Sequence, residues 1–339
     1  MKSTFQAHLV NPPYGDPALY VRLRWQGEAL LFDLGRIDRL EAAALMCVTS
    51  VFVSHTHMDH FIGFDRLLRV FLAREARLRL FGPPGIIDNV RGKLAGYTWN
   101  LVDDYPLTFE VTEVSQQQTT TVRLRAAHRF AVEPVDTETR DEPATLLGLV
   151  DEPGYRVDAV QLDHKIPCLA FRVHEATHLN VDTTALARLG VRPGVWLGAL
   201  KAAVRADAPA DTPITLPSGA TLPLHTLRAD LLVESPGQRI VYVTDTRFSA
   251  DNIKRILMLA HGADLLVCET PFLESSREHA EARAHLTARQ AGALARWAGV
   301  RHLEVFHFSA RHEGAGDELR REAEDEFTGR ETVYGEPAD

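Results

Sequence analysis

Val48-Thr-Ser-Val-Phe-Val-Ser-His55-Thr-His57-Met-Asp59-His60-Phe61 is the stretch on which the reading of this chain turns. Val48, Val51, Phe52 and Val53 are β-branched or aromatic and read as a buried strand, so Ser54 to His60 is the loop leaving its end. In that loop ligand-type side chains alternate with spacers. Extended backbone lets His55 and His57 converge on one centre, while Asp59 and His60, where the chain turns, face a second centre beside it. Imidazole and carboxylate together suit zinc and, less selectively, iron, manganese or nickel. Core packing alone does not call for four such side chains in six residues. Two metals also need more than four ligands, so distant parts of the chain must supply the others.

A chain of 339 residues with 45% hydrophobic and 24% charged content can bury a large core as a soluble globular protein. No apolar run approaches about 20 residues, and Met1-Lys2-Ser3-Thr4-Phe5 lacks the apolar core of a signal peptide, so no membrane partner and a cytoplasmic location are expected. Cys47, Cys168 and Cys268 are widely separated, odd in number and set among apolar residues, which suggests buried free thiols. A net charge of −9 argues against broad, non-specific binding of nucleic acid. Two divalent cations and a few arginines can nevertheless attract phosphate locally.

Phe5 to Val10, Leu19 to Trp25 and Ala29 to Phe32 read as an antiparallel opening, punctuated at Asn11-Pro-Pro-Tyr-Gly15 and Gln26-Gly27. Phe64, Leu67, Leu68 and Phe71 recur at helical spacing. Leu78 to Phe81 is a further strand, Leu107 to Leu124 alternates like strands, and Glu133 to Asp151, rich in acids, reads as a surface loop. Tyr155 to Val173 reads as a hairpin with His164 between its strands. A histidine alone at such a point is ordinarily structural, but beside the first motif it is a candidate ligand. Residues 175–227 interrupt the pattern without an evident second core and read as an insertion or flexible arm within a single domain spanning 1–339.

From Arg239 the order is β-α-β-α-β, with Ile240 to Val243, Leu265 to Cys268 and Leu303 to Phe306 as parallel strands. Asp245, Glu269 and His307 stand at their carboxyl ends, where open α/β sheets bind ligands. Thr287-Ala-Arg-Gln290 fits a capping box, so His285 lies just outside a helix start, where an anion is favoured. Leu319 and Phe327 are the expected anchors of a terminal helix, and beyond Tyr334 the chain is expected to fray.

His55-Thr-His57-Met-Asp59-His60 is the His-x-His-x-Asp-His signature of the metallo-β-lactamase superfamily, which this chain resembles. Leu162-Asp-His164-Lys-Ile-Pro-Cys-Leu-Ala-Phe-Arg172, Val243-Thr-Asp245-Thr246, Cys268-Glu269-Thr-Pro-Phe272, His285-Leu-Thr-Ala-Arg-Gln-Ala291 and His307-Phe-Ser-Ala-Arg311 resemble ribonuclease Z, the tRNA 3′-end endonuclease. The likeness runs in order from Val48 to Arg311. It implies an α/β fold of the four-layer αββα metallo-β-lactamase sandwich type with an inserted arm. Leu189-Gly-Val-Arg-Pro-Gly194 resembles the arm that, in that family, clamps tRNA from the partner subunit of a homodimer. The chain departs from the family at Leu9-Val-Asn-Pro-Pro-Tyr-Gly15, at Asp33-Leu-Gly35-Arg-Ile and at Phe61, and its arm carries few bases: Arg188, Arg192, Lys201 and Arg205.

The ligand count is then His55, His57 and His164 for one zinc, Asp59, His60 and His307 for the other, and Asp245 bridging both; Mn2+ or Fe2+ is the alternative metal. Two zincs about 3.5–4 Å apart lower the pKa of a shared water and stabilise a phosphoryl group under attack. Asp59 would hold or deprotonate the nucleophile, and His285 would contact the phosphate or protonate the leaving oxygen. Glu269 would fix the ring of His285 or else pair with an arginine, and Ser309 and Arg311 would bind phosphate. The expected substrate is precursor tRNA. The alternatives are a small phosphodiester such as a cyclic nucleotide, or a lactone or thioester.

Overall fold

The computed structural model describes residues 4–24 and 26–337. Trp25, read above as the end of the second strand, lies outside them, as do Met1 to Ser3 of the N-terminal reading and the last two of the residues expected to fray.

Strands β1 (Phe5–Leu9), β2 (Leu19–Leu23) and β3 (Ala29–Phe32) run antiparallel. After helix α1 (Ala42–Leu45) the chain enters β4 (Val48–Phe52), parallel to β3. Helices α2 (Met58–Phe61) and α3 (Phe64–Phe71) lead to β5 (Arg77–Gly82), and α4 (Ile86–Ala95) to β6 (Thr108–Val114), both strands extending the parallel run. β7 (Gln118–Arg125) and β8 (Val132–Thr139) close an eight-stranded sheet as antiparallel neighbours. The helical spacing read in Phe64, Leu67, Leu68 and Phe71 is the buried face of α3, packed with Ile86, Val90 and Leu94 of α4 against the outer side of this sheet.

β8 corrects the surface-loop reading of Glu133 to Asp151, as does β9 (Leu147–Glu152). Nearly every β8 side chain is exposed, and acids and threonines give it no apolar alternation. Its pairing with β7 is a matter of backbone hydrogen bonds at an edge, which leaves little trace in side-chain pattern. β10 (Tyr155–Asp163) and β11 (Pro167–Glu175) form the expected hairpin.

Residues Glu175–Gly237 form a compact unit of their own. It holds β12 (His178–Val181), α5 (Thr183–Arg188), α6 (Val195–Arg205), β13 (Pro213–Thr215), β14 (Thr221–Pro223), α7 (Leu224–Leu231) and β15 (Leu232–Ser235), with β12 paired to β15 and β13 to β14. Contrary to the expectation of no second core, Leu186, Trp196, Leu200, Ile214, Leu227 and Leu231 pack together in it. Short elements each contribute one to three of these residues, so no single window of sequence displays the cluster.

The remaining chain alternates β16 (Arg239–Val243), α8 (Ala250–Ala260), β17 (Leu265–Glu269), α9 (Arg277–Arg283), α10 (Ala288–Trp297), β18 (Leu303–Phe306) and α11 (Gly316–Thr328). β16, β17 and β18 are parallel, and the second sheet has the order β18-β17-β16-β11-β10-β9. Helices α8 and α10 cover one face of it through Ile256, Leu259, Ala291 and Leu294. Its other face meets the first sheet across Phe32, Phe52, Phe171 and Tyr242, with ring centroids 4.9 Å apart for Phe32 and Phe52 and 5.7 Å for Phe52 and Phe171. The layers are therefore helix, sheet, sheet, helix, as the αββα resemblance implies. Strand ends from both sheets reach one shared edge.

Candidate metal centre

The first sheet contributes two adjacent strand ends. At the end of β3 stands Asp33, buried and with a left-handed φ of 59°. Its Oδ1 accepts a hydrogen bond from the Ser54 backbone N–H (2.7 Å). Its Oδ2 accepts from the Ser54 hydroxyl (2.9 Å), the Tyr242 hydroxyl (2.9 Å) and Nδ1 of His60 (2.9 Å). Because Ser54 spends its proton on Asp33, the 3.1 Å contact between its Oγ and Nδ1 of His55 requires His55 to donate. The four-residue helix α2, entered at His57, turns Asp59 and His60 back towards the strand end.

The second sheet supplies the other residues. In the β10–β11 turn, Lys165 adopts φ 63° and His164 donates from Nδ1 to the carbonyl of Ala284 at 2.8 Å. Asp245 and His307 follow β16 and β18 and Glu269 is the last residue of β17, all at carboxyl ends as expected, and His307 has φ 61°. Asn252 of α8 ties these segments together: its amide donates to the carbonyls of Asp163 and Arg247 and to Oγ1 of Thr246, and its Oδ1 accepts from the Asp163 N–H. Of the seven non-glycine residues with positive φ among those described, Asp33, Lys165, Ala284 and His307 are site residues or adjoin one. Backbone strain of this kind persists where the surrounding structure over-determines a position, and here it surrounds the centre.

With Nδ1 of His55, His60 and His164 each committed as a donor, the Nε2 lone pair of each ring is left facing inward. Around Asp245 the rings sort by carboxylate oxygen. Oδ2 lies 3.6 Å from Nε2 of His55 and 3.4 Å from Nε2 of His164, while Oδ1 lies 3.4 Å from Nε2 of His60 and 2.9 Å from Nδ1 of His307. Nδ1 of His57 is 2.9 Å from Nε2 of His55, and Oδ2 of Asp59 is 3.3 Å from Nε2 of His307. Among the described residues three overlapping groups, His55-His57-His164-Asp245, Asp59-His60-His307 and Asp245-Glu269-His285-His307, bring their donor atoms close enough to hold a cation.

The donor set itself fits metal. Among the described residues, the buried Nε2 of His60 and Nδ1 of His307 make no well-aligned hydrogen bond although Oδ1 of Asp245 lies 3.4 and 2.9 Å away, a costly state for an imidazole unless a cation takes the lone pair. Burial and neighbouring histidines push His55 down to about 2, which keeps it neutral and ready to ligate. Burial would do the same to His60, but the carboxylates of Asp245 and Asp33 carry it up to about 10. Burial likewise opposes the charge on Asp245, and His60 and His307 hold it well below the usual carboxylate range. Such mutual dependence of buried charges is relieved when divalent cations replace the protons.

A third element borders the centre. Glu269 is fully buried and, among the described residues, meets no arginine: Oε1 accepts from the N–H groups of Thr246 (3.0 Å) and Leu286 (3.2 Å), and Oε2 from Nδ1 of His285 (2.7 Å). Nε2 of His285 then faces the centre, 4.0 Å from Oδ2 of Asp245. Burial disfavours a charged His285, yet Glu269 lifts its pKa above the ordinary value. Ser309 and Arg311 are not among the donor groups; the Ser309 hydroxyl accepts from the Arg311 N–H at 3.3 Å, and Arg311 is exposed. Sequence reading missed Asp33, Ser54, Asn252 and Tyr242. Only Asp33 carried a signal, as a lone carboxylate between Phe32 and Leu34 at the end of an apolar strand.

No family model matches the sequence. The ribonuclease Z of Deinococcus radiodurans is 33% identical over 315 residues, covering 91% of each chain. That of Thermobifida fusca is 33% identical over 313 residues, covering 90% of this chain and 80% of its own. Among solved structures, the metallo-β-lactamase fold protein YhfI from Bacillus subtilis superposes with a TM-score of 0.55 at 15% identity over 96% of this chain and 93% of its own. The short form of human tRNase Z gives 0.51 at 19% identity over 91% and 93%. The structural likenesses establish the fold, and the sequence identities, sustained over nearly the whole length, establish that this chain belongs to the ribonuclease Z family.

Proposed function

We propose that this chain is a two-zinc phosphodiesterase that cleaves precursor tRNA at its 3′ end. Its membership of a family named for ribonuclease activity makes it a metal-dependent hydrolase of phosphodiester bonds. The observation that carries the finer reading is the sorting of rings around Asp245, whose two oxygens face two different histidine sets. His55, His57 and His164 would hold one cation, Asp59, His60 and His307 the other, and Asp245 both, with Mn2+ or Fe2+ as substitutes. When bound, the pair supplies Lewis acidity, lowering the pKa of a water and stabilising charge on the phosphoryl oxygens.

The chain's own groups divide the remaining work. Asp59 stays anionic because His307 and His60 outweigh its partial burial, so it can orient the attacking water and accept its proton. As the water oxygen bonds to phosphorus, the bond from phosphorus to the leaving alcohol breaks. His285, held protonated by Glu269, donates from Nε2 to that oxygen. Ser309 and Arg311, past the end of β18, would meet a neighbouring phosphate. We further infer that the enzyme works in the cytoplasm as a homodimer and that residues 175–237 grip the tRNA bound by the partner subunit. Among the described residues no helix is long and apolar enough to cross a membrane.

The test uses purified protein loaded with zinc. About two zincs per chain, cleavage of precursor tRNA after the discriminator base and hydrolysis of bis(p-nitrophenyl) phosphate are expected. Asp245→Ala should lose metal and lower both activities by at least about 10³-fold. Hydrolysis of the small ester without tRNA cleavage would remove the tRNA assignment. The net charge of −9 favours, in that case, a small or cyclic phosphodiester as substrate. The hydrogen-bonded pair of His285 and Glu269 beside the centre favours a phosphodiester over a lactone or thioester substrate.

A further inference from the structure

His285 sits two residues before α10, and the start of that helix is enclosed by a ring of hydrogen bonds that the chain's last segment completes. The backbone N–H of Thr287 donates to Oε1 of Gln290 at 2.9 Å. The same amide, through Nε2, donates to the Tyr334 hydroxyl at 3.1 Å. That hydroxyl donates to Oε1 of Glu274 at 3.0 Å, and Oε2 of Glu274 accepts from the Thr287 hydroxyl at 2.5 Å. The ring is closed. Every member has one orientation that satisfies both neighbours, including the amide of Gln290, whose oxygen must face Thr287 and whose nitrogen must face Tyr334.

We propose that Tyr334 and Glu274 are positioning residues for His285, acting through the start of α10. The inference rests on the reading of His285 as the proton donor. Between the ring and His285 the backbone has little freedom: Ala288 donates to the carbonyl of Phe272 at 2.7 Å, Leu286 to Glu269 at 3.2 Å, and His285 itself to the carbonyl of Ala280 at 2.9 Å. The His285 ring packs against Phe272, with centroids 5.9 Å apart, and Phe272 bridges to Thr287. A shift at Thr287 is therefore passed to His285 with few soft joints to absorb it. Because proton transfer requires hydrogen-bond reach, a displacement well under the length of a bond is felt in rate.

Tyr334 is itself anchored as a structural part. Its N–H and that of Val333 donate to the buried carboxylate of Glu326, its carbonyl accepts from Arg296 at 2.6 Å, and its ring lies against Phe248 and beneath the guanidinium of Arg277. Burial and the nearby Glu274 push its pKa up to about 12, so the hydroxyl keeps the proton it donates. Arg277 also hydrogen-bonds Oε1 of Glu274, which orients that carboxylate. Phenylalanine at 334 would retain the packing and remove the two hydrogen bonds.

The experiment measures kcat and KM on a precursor RNA and on bis(p-nitrophenyl) phosphate for the zinc-loaded wild type, Tyr334→Phe, Glu274→Gln, His285→Ala and Tyr334→Phe/His285→Ala. Each ring variant is expected to lower kcat on RNA about five- to tenfold, with KM and zinc content unchanged and the thermal midpoint lowered by no more than a few degrees. The loss should be smaller on the nitrophenyl ester, whose leaving group departs without a proton. In the His285→Ala background Tyr334→Phe should cost nothing more. An equal loss in that background, or unchanged kcat in both single variants, overturns the inference. If His285→Ala alone leaves kcat on RNA intact, it is the proton-donor reading that falls, and the two failures are thereby told apart.

Discussion

Asp33 accepts four hydrogen bonds from three buried residues and links both sheets: Ser54 and His60 belong to the first, Tyr242 to the second. An asparagine tolerates the same left-handed backbone but can offer only one acceptor oxygen to those donors. Asp33→Asn should therefore preserve the fold while letting the His60 ring turn, weakening metal affinity about 10–100-fold in competition with a chelator dye. Unchanged affinity would mean that His60 is held by packing alone. A second carboxylate sets a pH response away from the centre. Burial alone would raise the pKa of Glu110, but hydrogen bonds from Arg77 (2.6 Å) and Arg123 (2.8 Å) hold it below the ordinary value. Its folded pKa is depressed, so its contribution is present above the unfolded value of about 4.3 and is lost as pH falls through the folded one. The thermal midpoint should drop as pH is lowered from about 6 to about 3, and Glu110→Gln should drop less over that interval.

At the scale of elements, the centre depends on turns that must arrive together. The segment after β16 carries Asp245, the β10–β11 turn carries His164, and Asn252 at the start of α8 holds both through four hydrogen bonds. Asn252→Ala leaves the Asp163 N–H without its partner and removes one bond each from the Asp163 and Arg247 carbonyls and the Thr246 hydroxyl, and should cost about 1–3 kcal/mol in denaturant unfolding. Zinc content should fall with it. Loss of stability with zinc binding intact would show that α8 braces the sheet without setting the ligands. The capping box read from Thr287 and Gln290 is present with both of its hydrogen bonds, so this helix start was legible from four letters. What those letters could not display is that Glu274 and Tyr334, distant in sequence, are hydrogen-bonded to the same two side chains.

At the scale of the molecule, Glu175–Gly237 is an insertion between two strands that are ladder neighbours, since His174 of β11 pairs with Arg239 of β16. The ends left by its removal can thus be joined by a short hairpin turn. A chain so shortened should fold, bind zinc and hydrolyse bis(p-nitrophenyl) phosphate as before, while its KM for precursor tRNA rises at least about tenfold. Equal KM values would dissociate the insertion from RNA binding. The sequence by itself placed the candidate ligand side chains and the strand ends that carry them, because His-x-His-x-Asp-His and the β-α-β-α-β periodicity are local patterns, and its resemblance to a known family implied the sandwich architecture. It also determined the hairpin at His164 and the helix preceded by His285. Only the tertiary structure decided which nitrogen of His55, His60 and His164 faces inward, because Asp33 and the Ala284 carbonyl, brought up from elsewhere in the chain, orient His60 and His164, and Asp33 takes the Ser54 proton that His55 would otherwise accept. It likewise decided that Glu269 serves His285 rather than an arginine, that β8 is a strand, and that the insertion has a core. Glu269 and the insertion's core are settled by partners outside any one window and β8 by backbone pairing with β7, and side-chain pattern within a window records neither.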